Sequence, residues 1–354
     1  MKMSDMMKAA VIEKPGTLVI KDIPIPEINE NEVLIKVKVT GICGTDWSIF
    51  TGKYSADKLP LVAGHEFSGV IVKTGKNAQN LQAGARVTVD INMSCGICFY
   101  CRRGSKLMCK DFTQLGIHTN GSYAEYVKAP WEQVHKLPEN LSFEEGAFIE
   151  PVSCVVHSAK AMQVDLGSSV AIIGCGLGIL HGALARLRGA APVIVIGDNK
   201  MRLNVAKEMG ADYIINTNEV SDIVSEVRKL TEGRGADYVV EAVGSVATYE
   251  KAFEMVRPGG TVAAFGITGG DETIKIRSFD LVLGEKKVVS SCAGVGNDWN
   301  DAIRLLEYGR IKPEKMFSME VPLEELELAL KQLREDPKLI KVFVSPEISK
   351  RVVF

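Results

Sequence analysis

Long apolar runs are missing from this sequence, and none reaches the length a helix needs to cross a bilayer. A surplus of charge is missing too. Lys and Arg number 42 against 44 Asp and Glu, and the resulting net charge of −2 offers no electrostatic grip on nucleic acid or an anionic membrane. The first residues, Met1 to Lys8, carry charge and methionine but no apolar signal-peptide core, so a cytoplasmic protein is expected. Cysteine is sparse for a disulfide scaffold, with eight in 354 residues. No internal repeat or low-complexity segment interrupts the chain. What remains, 46% hydrophobic and 24% charged residues, is the composition of a globular protein, and the length suits two domains.

The texture changes along the chain. Val33 to Val39 alternates apolar and polar residues, and Phe67 to Val72 and Arg86 to Asp90 are also strand-like. Glycines and prolines at 16, 24, 26, 52, 60, 75 and 84 cut this part into short pieces, which predicts a β-rich domain. From about Val152, helical and strand-like stretches alternate. Strands are expected at 169–173, 193–196, 213–215, 238–241, 261–265 and 287–290, with helices at 152–162, 180–188 and 201–209. Such alternation predicts a parallel sheet with helices on both faces. The tail carries a helix from Asp298, another over 323–335 and a last strand over 341–344. The expected division is 1–155, 156–295 and 296–354.

Three stretches carry chemistry. Gly64-His65-Glu66-Phe67-Ser68-Gly69, taken with Cys43, supplies thiolate, imidazole and carboxylate, donors that Zn²⁺ accepts with one position left open. The competing reading is a core histidine beside a surface glutamate. Cys95, Cys98, Cys101 and Cys109 follow the spacing C-x₂-C-x₂-C-x₇-C, which suits a closed tetrahedral zinc site. An iron–sulfur cluster of the compact bacterial type places its fourth cysteine closer and follows it with proline, whereas Lys110 follows here. A nucleic-acid-binding ribbon finds few basic residues around the lobe: Arg102, Arg103, Lys106 and Lys110. Finally, Gly174, Gly176 and Gly178 lie between a strand and a helix, where backbone N–H groups approach a pyrophosphate. Ile179 stands where the fingerprint places its third glycine, and Asp198 appears one position late because Gly197 holds the acid's usual place. An acid there binds ribose hydroxyls and favours NAD over NADP, while Lys200 and Arg202 offer a phosphate contact.

Together with Gly41-Ile42-Cys43-Gly44-Thr45-Asp46, Glu150-Pro151 and Arg257-Pro258-Gly259-Gly260, these motifs resemble the zinc-containing medium-chain alcohol and polyol dehydrogenases, over essentially the whole chain. The resemblance is to the sorbitol and threonine dehydrogenase branches. It implies an α/β protein: a GroES-like β-rich catalytic domain, a Rossmann doubly wound domain, a C-terminal return to the first domain, and an active site in the cleft between the two domains. It implies a catalytic zinc at Cys43 and His65, completed by Glu66 directly with Glu150 acting through water, or by the two in exchange. A structural zinc at Cys95, Cys98, Cys101 and Cys109, a small-molecule alcohol substrate, and a homodimer or homotetramer follow from the same resemblance. Thr45 matches the hydroxyl that passes on the substrate proton, with Ser48 next in line.

Ser48 departs from the histidine that threonine dehydrogenases and many polyol enzymes carry there. Cys154 reads as a small buried side chain, and His157 and His181 as structural. The pocket walls are expected near Phe50, Tyr54, His118 and Trp299, with Trp47 unassigned. Three other readings stand beside a polyol dehydrogenase: a threonine or simple-alcohol dehydrogenase of the same family, a non-catalytic zinc-stabilised nucleotide-binding protein, and the nucleic-acid ribbon.

Overall fold

A computed structural model describes residues 5–354. The chain divides into two compact units. One takes the chain through Pro151 and adds Val295–Tyr308 and Met316–Phe354; the other comprises Val152–Gly294 and Gly309–Lys315. The first boundary lies at Pro151 where residue 155 was expected, both within the helix Ile149–Met162, and the C-terminal return is interrupted. Gly309–Lys315 belongs to the second unit, where Ile311 is buried and Lys315 pairs with Glu208 at 2.9 Å.

The first unit is β-rich. Val352–Val353, Phe317–Pro322, Lys341–Ser345, Glu32–Gly41, Glu66–Thr74, Arg86–Val89 and Val134–Lys136 lie side by side in that order, and Tyr126–Pro130 also pairs with Glu32–Gly41. Alternation in 33–39 predicts the central strand because Val33, Ile35, Val37 and Val39 all point into the core. The strand Lys341–Ser345 brings the tail back beside Gly41, with Phe343 opposite Gly41 and Gly41 opposite Glu66. Rings of Phe148, Phe317, Phe343 and Phe354 pack edge-on or tilted at centroid distances of 4.8–6.1 Å, tying the start of the helix Ile149–Met162 to this sheet.

The second unit holds a six-stranded parallel sheet. Its order is Tyr213–Asn216, Val193–Gly197, Val170–Ile173, Ala236–Glu241, Val256–Ala264 and Lys287–Ser290. Val170 to Ile173 and Val193 to Ile196 are buried at every position, as strands covered on both faces must be. The strand order turns back on itself at Val170–Ile173, the first strand in sequence and the one that runs into the glycine loop. Among the described residues no helix is long and apolar enough to cross a membrane.

Candidate metal and nucleotide sites

Cys43 ends the turn after the strand Glu32–Gly41 and precedes the short helix Gly44–Phe50. His65 precedes, and Glu66 opens, the neighbouring strand Glu66–Thr74. Its approach is shaped by Gly64, whose φ of +91° suits glycine and which leaves no room for a Cβ beside Tyr123 and Ser122. One donor atom each from Cys43, His65 and Glu66 lies within 4.8 Å of the others, a spacing one small cation can bridge. His65 and Glu66 are buried and Cys43 is half-buried. Glu150, buried in the first turn of Ile149–Met162, is not part of that close set.

Two residues to which the sequence assigns no role organise this set. The first is Asp46, fully buried. Its Oδ2 accepts the Cys43 N–H at 2.8 Å and the Tyr123 hydroxyl at 2.9 Å, and its Oδ1 accepts the Gly64 N–H at 3.3 Å. The same Oδ1 lies 3.3 Å from His65 Nδ1, a buried nitrogen with no well-aligned hydrogen bond. Burial alone would lift the Asp46 pKa, but His65, the Cys43 N–H and Tyr123 outweigh it and hold the carboxyl below its ordinary 3.8. Burial likewise drags on His65, and there Asp46 and Cys43 prevail, leaving the imidazole well above its ordinary 6.5. The second is Lys341, also buried, whose Nζ is paired with Glu66 and donates to the Ile42 carbonyl at 3.1 Å. Burial lowers its pKa, yet Glu66, Cys43 and Glu150 together raise it. The signal for Asp46 was its place three residues after Cys43 on a first helical turn. For Lys341 no local signal exists.

Thr45 Oγ1 lies 3.7 Å from Cys43 Sγ. The Ser48 hydroxyl instead donates to the Gly44 carbonyl one helical turn back, at 3.3 Å. Of the expected pocket residues, Trp299 is corrected outright: it is fully buried and stacks on His135 at 5.7 Å, so it is core. Phe50 is buried too, against Trp47. Tyr54 and His118 do meet, with ring centroids 6.3 Å apart, and Phe112 lies edge-on to His118 at 6.4 Å.

In the cysteine lobe the four sulfurs of Cys95, Cys98, Cys101 and Cys109 gather within 4.8 Å of one another. Cys98 and Cys101 Sγ are 3.5 Å apart, and the N–H groups of Cys95 and Asp111 point at Cys109 Sγ at 3.3 and 3.4 Å. The Cys101 backbone N–H is the main cause of a Cys98 thiol lowered to about 6. An all-sulfur donor set with peptide N–H groups aimed at it fits a structural zinc, and the Cys43, His65 and Glu66 set fits a zinc with an open position.

The nucleotide loop leaves the strand Val170–Ile173 through Gly174, at φ +118°, and enters the helix Gly178–Leu187. Gly178 takes on the close-packing task of the fingerprint's third glycine: a Cβ there would stand 3.0 Å from Ile172 Cγ2. Ile179, expected among the cofactor residues, turns its side chain into the core and donates its N–H to the Gly176 carbonyl at 3.1 Å. A Cβ on Gly197 would stand 2.4 Å from Cys175 Sγ, which explains why the acid waits until the exposed Asp198. Asn199 Oδ1 caps the next helix, Lys200–Glu208, by accepting the N–H groups of Met201 and Arg202 at 3.0 and 3.1 Å.

Two further residues complete this picture. Buried Glu241, at the end of the strand Ala236–Glu241, accepts from the N–H groups of Val243 and Gly244 and from Thr248, and so shapes the loop facing Gly174. Among the described residues His181 has no partner for either ring nitrogen; it packs edge-on against Phe265 at 4.5 Å and is held neutral by burial with a pKa pushed down to about 3. It is structural.

Comparison with known proteins agrees with this geometry. Residues 29–139 match the alcohol dehydrogenase GroES-like domain and residues 176–308 match the zinc-binding dehydrogenase model. The sequence is 33% identical to sorbitol dehydrogenase of Bacillus subtilis (strain 168), over 96% of this chain and 97% of that one. It is 34% identical to D-arabitol-phosphate dehydrogenase of Enterococcus avium, over 97% and 98%. An alcohol dehydrogenase from E. coli CFT073 complexed with NADH superposes with a TM-score of 0.90 at 28% identity, covering 97% of this chain and all of that one.

Proposed function

This chain belongs to the zinc-containing medium-chain alcohol and polyol dehydrogenases, and from that membership we propose that it oxidises a secondary alcohol of a polyol or sugar-derived alcohol to the ketone, with NAD preferred over NADP. The observation that carries the reading is the convergence of Cys43, His65 and Glu66, with the Thr45 hydroxyl beside the thiol. One catalytic and one structural zinc per chain suit the two donor sets. When bound, the catalytic zinc supplies Lewis acidity that makes a hydroxyl easier to ionise near neutral pH, and the nicotinamide accepts the hydride. The chain's own part is distinct from both. Asp46 orients the His65 ring and the turn at Cys43, Thr45 Oγ1 relays the proton of the alcohol by accepting it while giving up its own hydroxyl proton to water, and Gly174 and Gly176 let the backbone come close to the pyrophosphate. Asp198 supplies the acid for the ribose hydroxyls, and Arg202 lies on the following helix.

A cytoplasmic setting keeps the thiols reduced for both zinc sites. The assembly is a homo-oligomer, built first through the outer strand Lys287–Ser290.

The test is a screen for NADH formation over polyols, inositols, sugar acids and amino alcohols, with and without added zinc and with NADP in parallel. Polyols with NAD should give the highest kcat/KM. Threonine outpacing every polyol, or no turnover with any alcohol, overturns the reading. Cys43→Ser should reduce turnover to background while leaving NADH binding intact; loss of both together would assign Cys43 to folding instead.

A further inference from the structure

We propose that Lys341 is a positioning residue that holds the Glu66 carboxylate in a shared pose, so that Glu66 does not close the coordination position the substrate needs. The inference rests on the functional reading above and goes beyond it by giving a task to a residue outside every recognised motif. Lys341 opens the strand Lys341–Ser345 and is only 6% exposed, and a buried ammonium is retained at such cost only when it is paired. Its Nζ is paired with Glu66 Oε2 and donates to the carbonyl of Ile42, the residue before Cys43. The face of Phe148, two residues before Glu150, lies 5.6 Å from the same nitrogen.

The pocket for this pair is built into the sheet. Gly41 stands between the two strands in the ladder, opposite both Glu66 and Phe343. A Cβ on Gly41 would stand 2.4 Å from Glu66 Oε2 and 2.9 Å from Lys341 Cε, so the central strand is cut back where the ion pair crosses it.

The charges give the pair its task. Cys43 as thiolate and Glu66 bring two negative charges to one divalent cation, with the buried Glu150 outside that close set, and Lys341 is the positive charge paired with Glu66. Without it, Glu66 has no competing partner, and the cation loses a neighbouring positive charge. Both effects tighten the hold of Glu66 on the metal at the expense of an incoming alcohol.

The experiment uses purified full-length protein loaded with zinc, and follows release to a chelator in the absence of substrate. The release phase belonging to this site is the one missing in Cys43→Ser. Lys341→Met should slow that phase roughly tenfold, the size of effect that outer partners have on metal affinity but here in the tightening direction, and should lower kcat with little change in the KM for NAD. Lys341→Arg should stay near wild type. In a Glu66→Gln background, Lys341→Met should leave the release rate unchanged, because the lysine acts through that carboxylate. This neutral pair of substitutions also keeps the test open where Lys341→Met alone fails to fold.

Release at the wild-type rate or faster in a folded Lys341→Met protein overturns the proposal, as does an undiminished effect in the Glu66→Gln background. A wild-type protein that carries zinc in the lobe alone would instead overturn the functional reading itself.

Discussion

Asp46 holds four groups at once, and its substitution separates its charge from its shape. Asp46→Asn keeps the volume and one acceptor for the Cys43 N–H, but removes the charge facing His65. Leaving buried partners poorly satisfied costs about 1–3 kcal/mol, read as a lower urea midpoint at neutral pH. Zinc affinity at the Cys43 site should fall about 10- to 100-fold. The pH dependence has a definite sign. The folded-state pKa of Asp46 lies below its ordinary 3.8, so its contribution is complete above that value and is lost as pH falls through the folded pKa. Wild type should therefore lose stability more steeply below about pH 4 than Asp46→Asn, and parallel acid limbs would refute the role.

The neighbouring hydroxyls make a second contrast. Thr45→Ala should lower kcat by about 10²- to 10⁴-fold, the range for a lost proton-transfer group. Ser48→Ala should stay within a few-fold of wild type, because that hydroxyl is spent on the Gly44 carbonyl. Cys43, His65 and Glu66 were legible because donor type and local spacing announce them. Asp46 was in plain view without an announced partner, and Lys341 lay 275 residues from Glu66 in the chain, joined to it only by strand pairing that no local pattern encodes.

At the scale of elements, periodicity located most of the second unit because strands buried on both faces are continuous apolar runs, as in Val193–Gly197. It located less of the first. The tail strand Phe317–Pro322 alternates in residue type, but its burial does not follow that pattern, with the first three residues half-buried and the last three buried. The helix expected over 323–335 opens as a 3₁₀ turn, Leu323–Glu325, before the α-helix Leu326–Glu335. The displaced acid of the nucleotide site was visible as a departure, and its cause was not. That cause is a size-matched pair on two adjacent elements, Cys175 in the glycine loop and Gly197 at the strand end. Gly197→Asp forces a side chain onto the thiol, which should cost about 1–3 kcal/mol of stability and weaken NADH binding in a fluorescence titration. Cys175→Gly in the same chain should recover both and widen the preference for NADH over NADPH. A single Gly197→Asp protein that binds NADH as wild type does would show that the loop yields, and that the pairing sets nothing.

For the whole molecule, the proposed assembly rests on the outer strand Lys287–Ser290. Hydrogen-bonding groups on one side of this strand have no neighbour in the sheet, and native proteins protect such edges by charge, by covering or by pairing with another chain. Charge guards only its start, through Lys286 and Lys287, while Val288 is 50% exposed. The short helix Ser278–Leu283 in the same unit adds Phe279 at 65% and Val282 and Leu283 at 70% each, an apolar group beyond the isolated exposed residues a monomer ordinarily shows. A second copy related by a two-fold axis satisfies both features, since each edge strand can pair antiparallel with its twin while the apolar helices cover one another. Sedimentation of the wild-type protein should accordingly give a dimer or a tetramer built from it. Val288→Lys combined with Leu283→Asp places charge on both parts of this surface and should weaken association by about 3 kcal/mol or more, enough to populate monomer at micromolar concentration. The substituted residues lie in the second unit and Cys43, His65 and Glu66 in the first, so zinc content should be unaffected. A wild-type monomer, or a doubly substituted protein that sediments unchanged, would leave this edge without the partner argued for it.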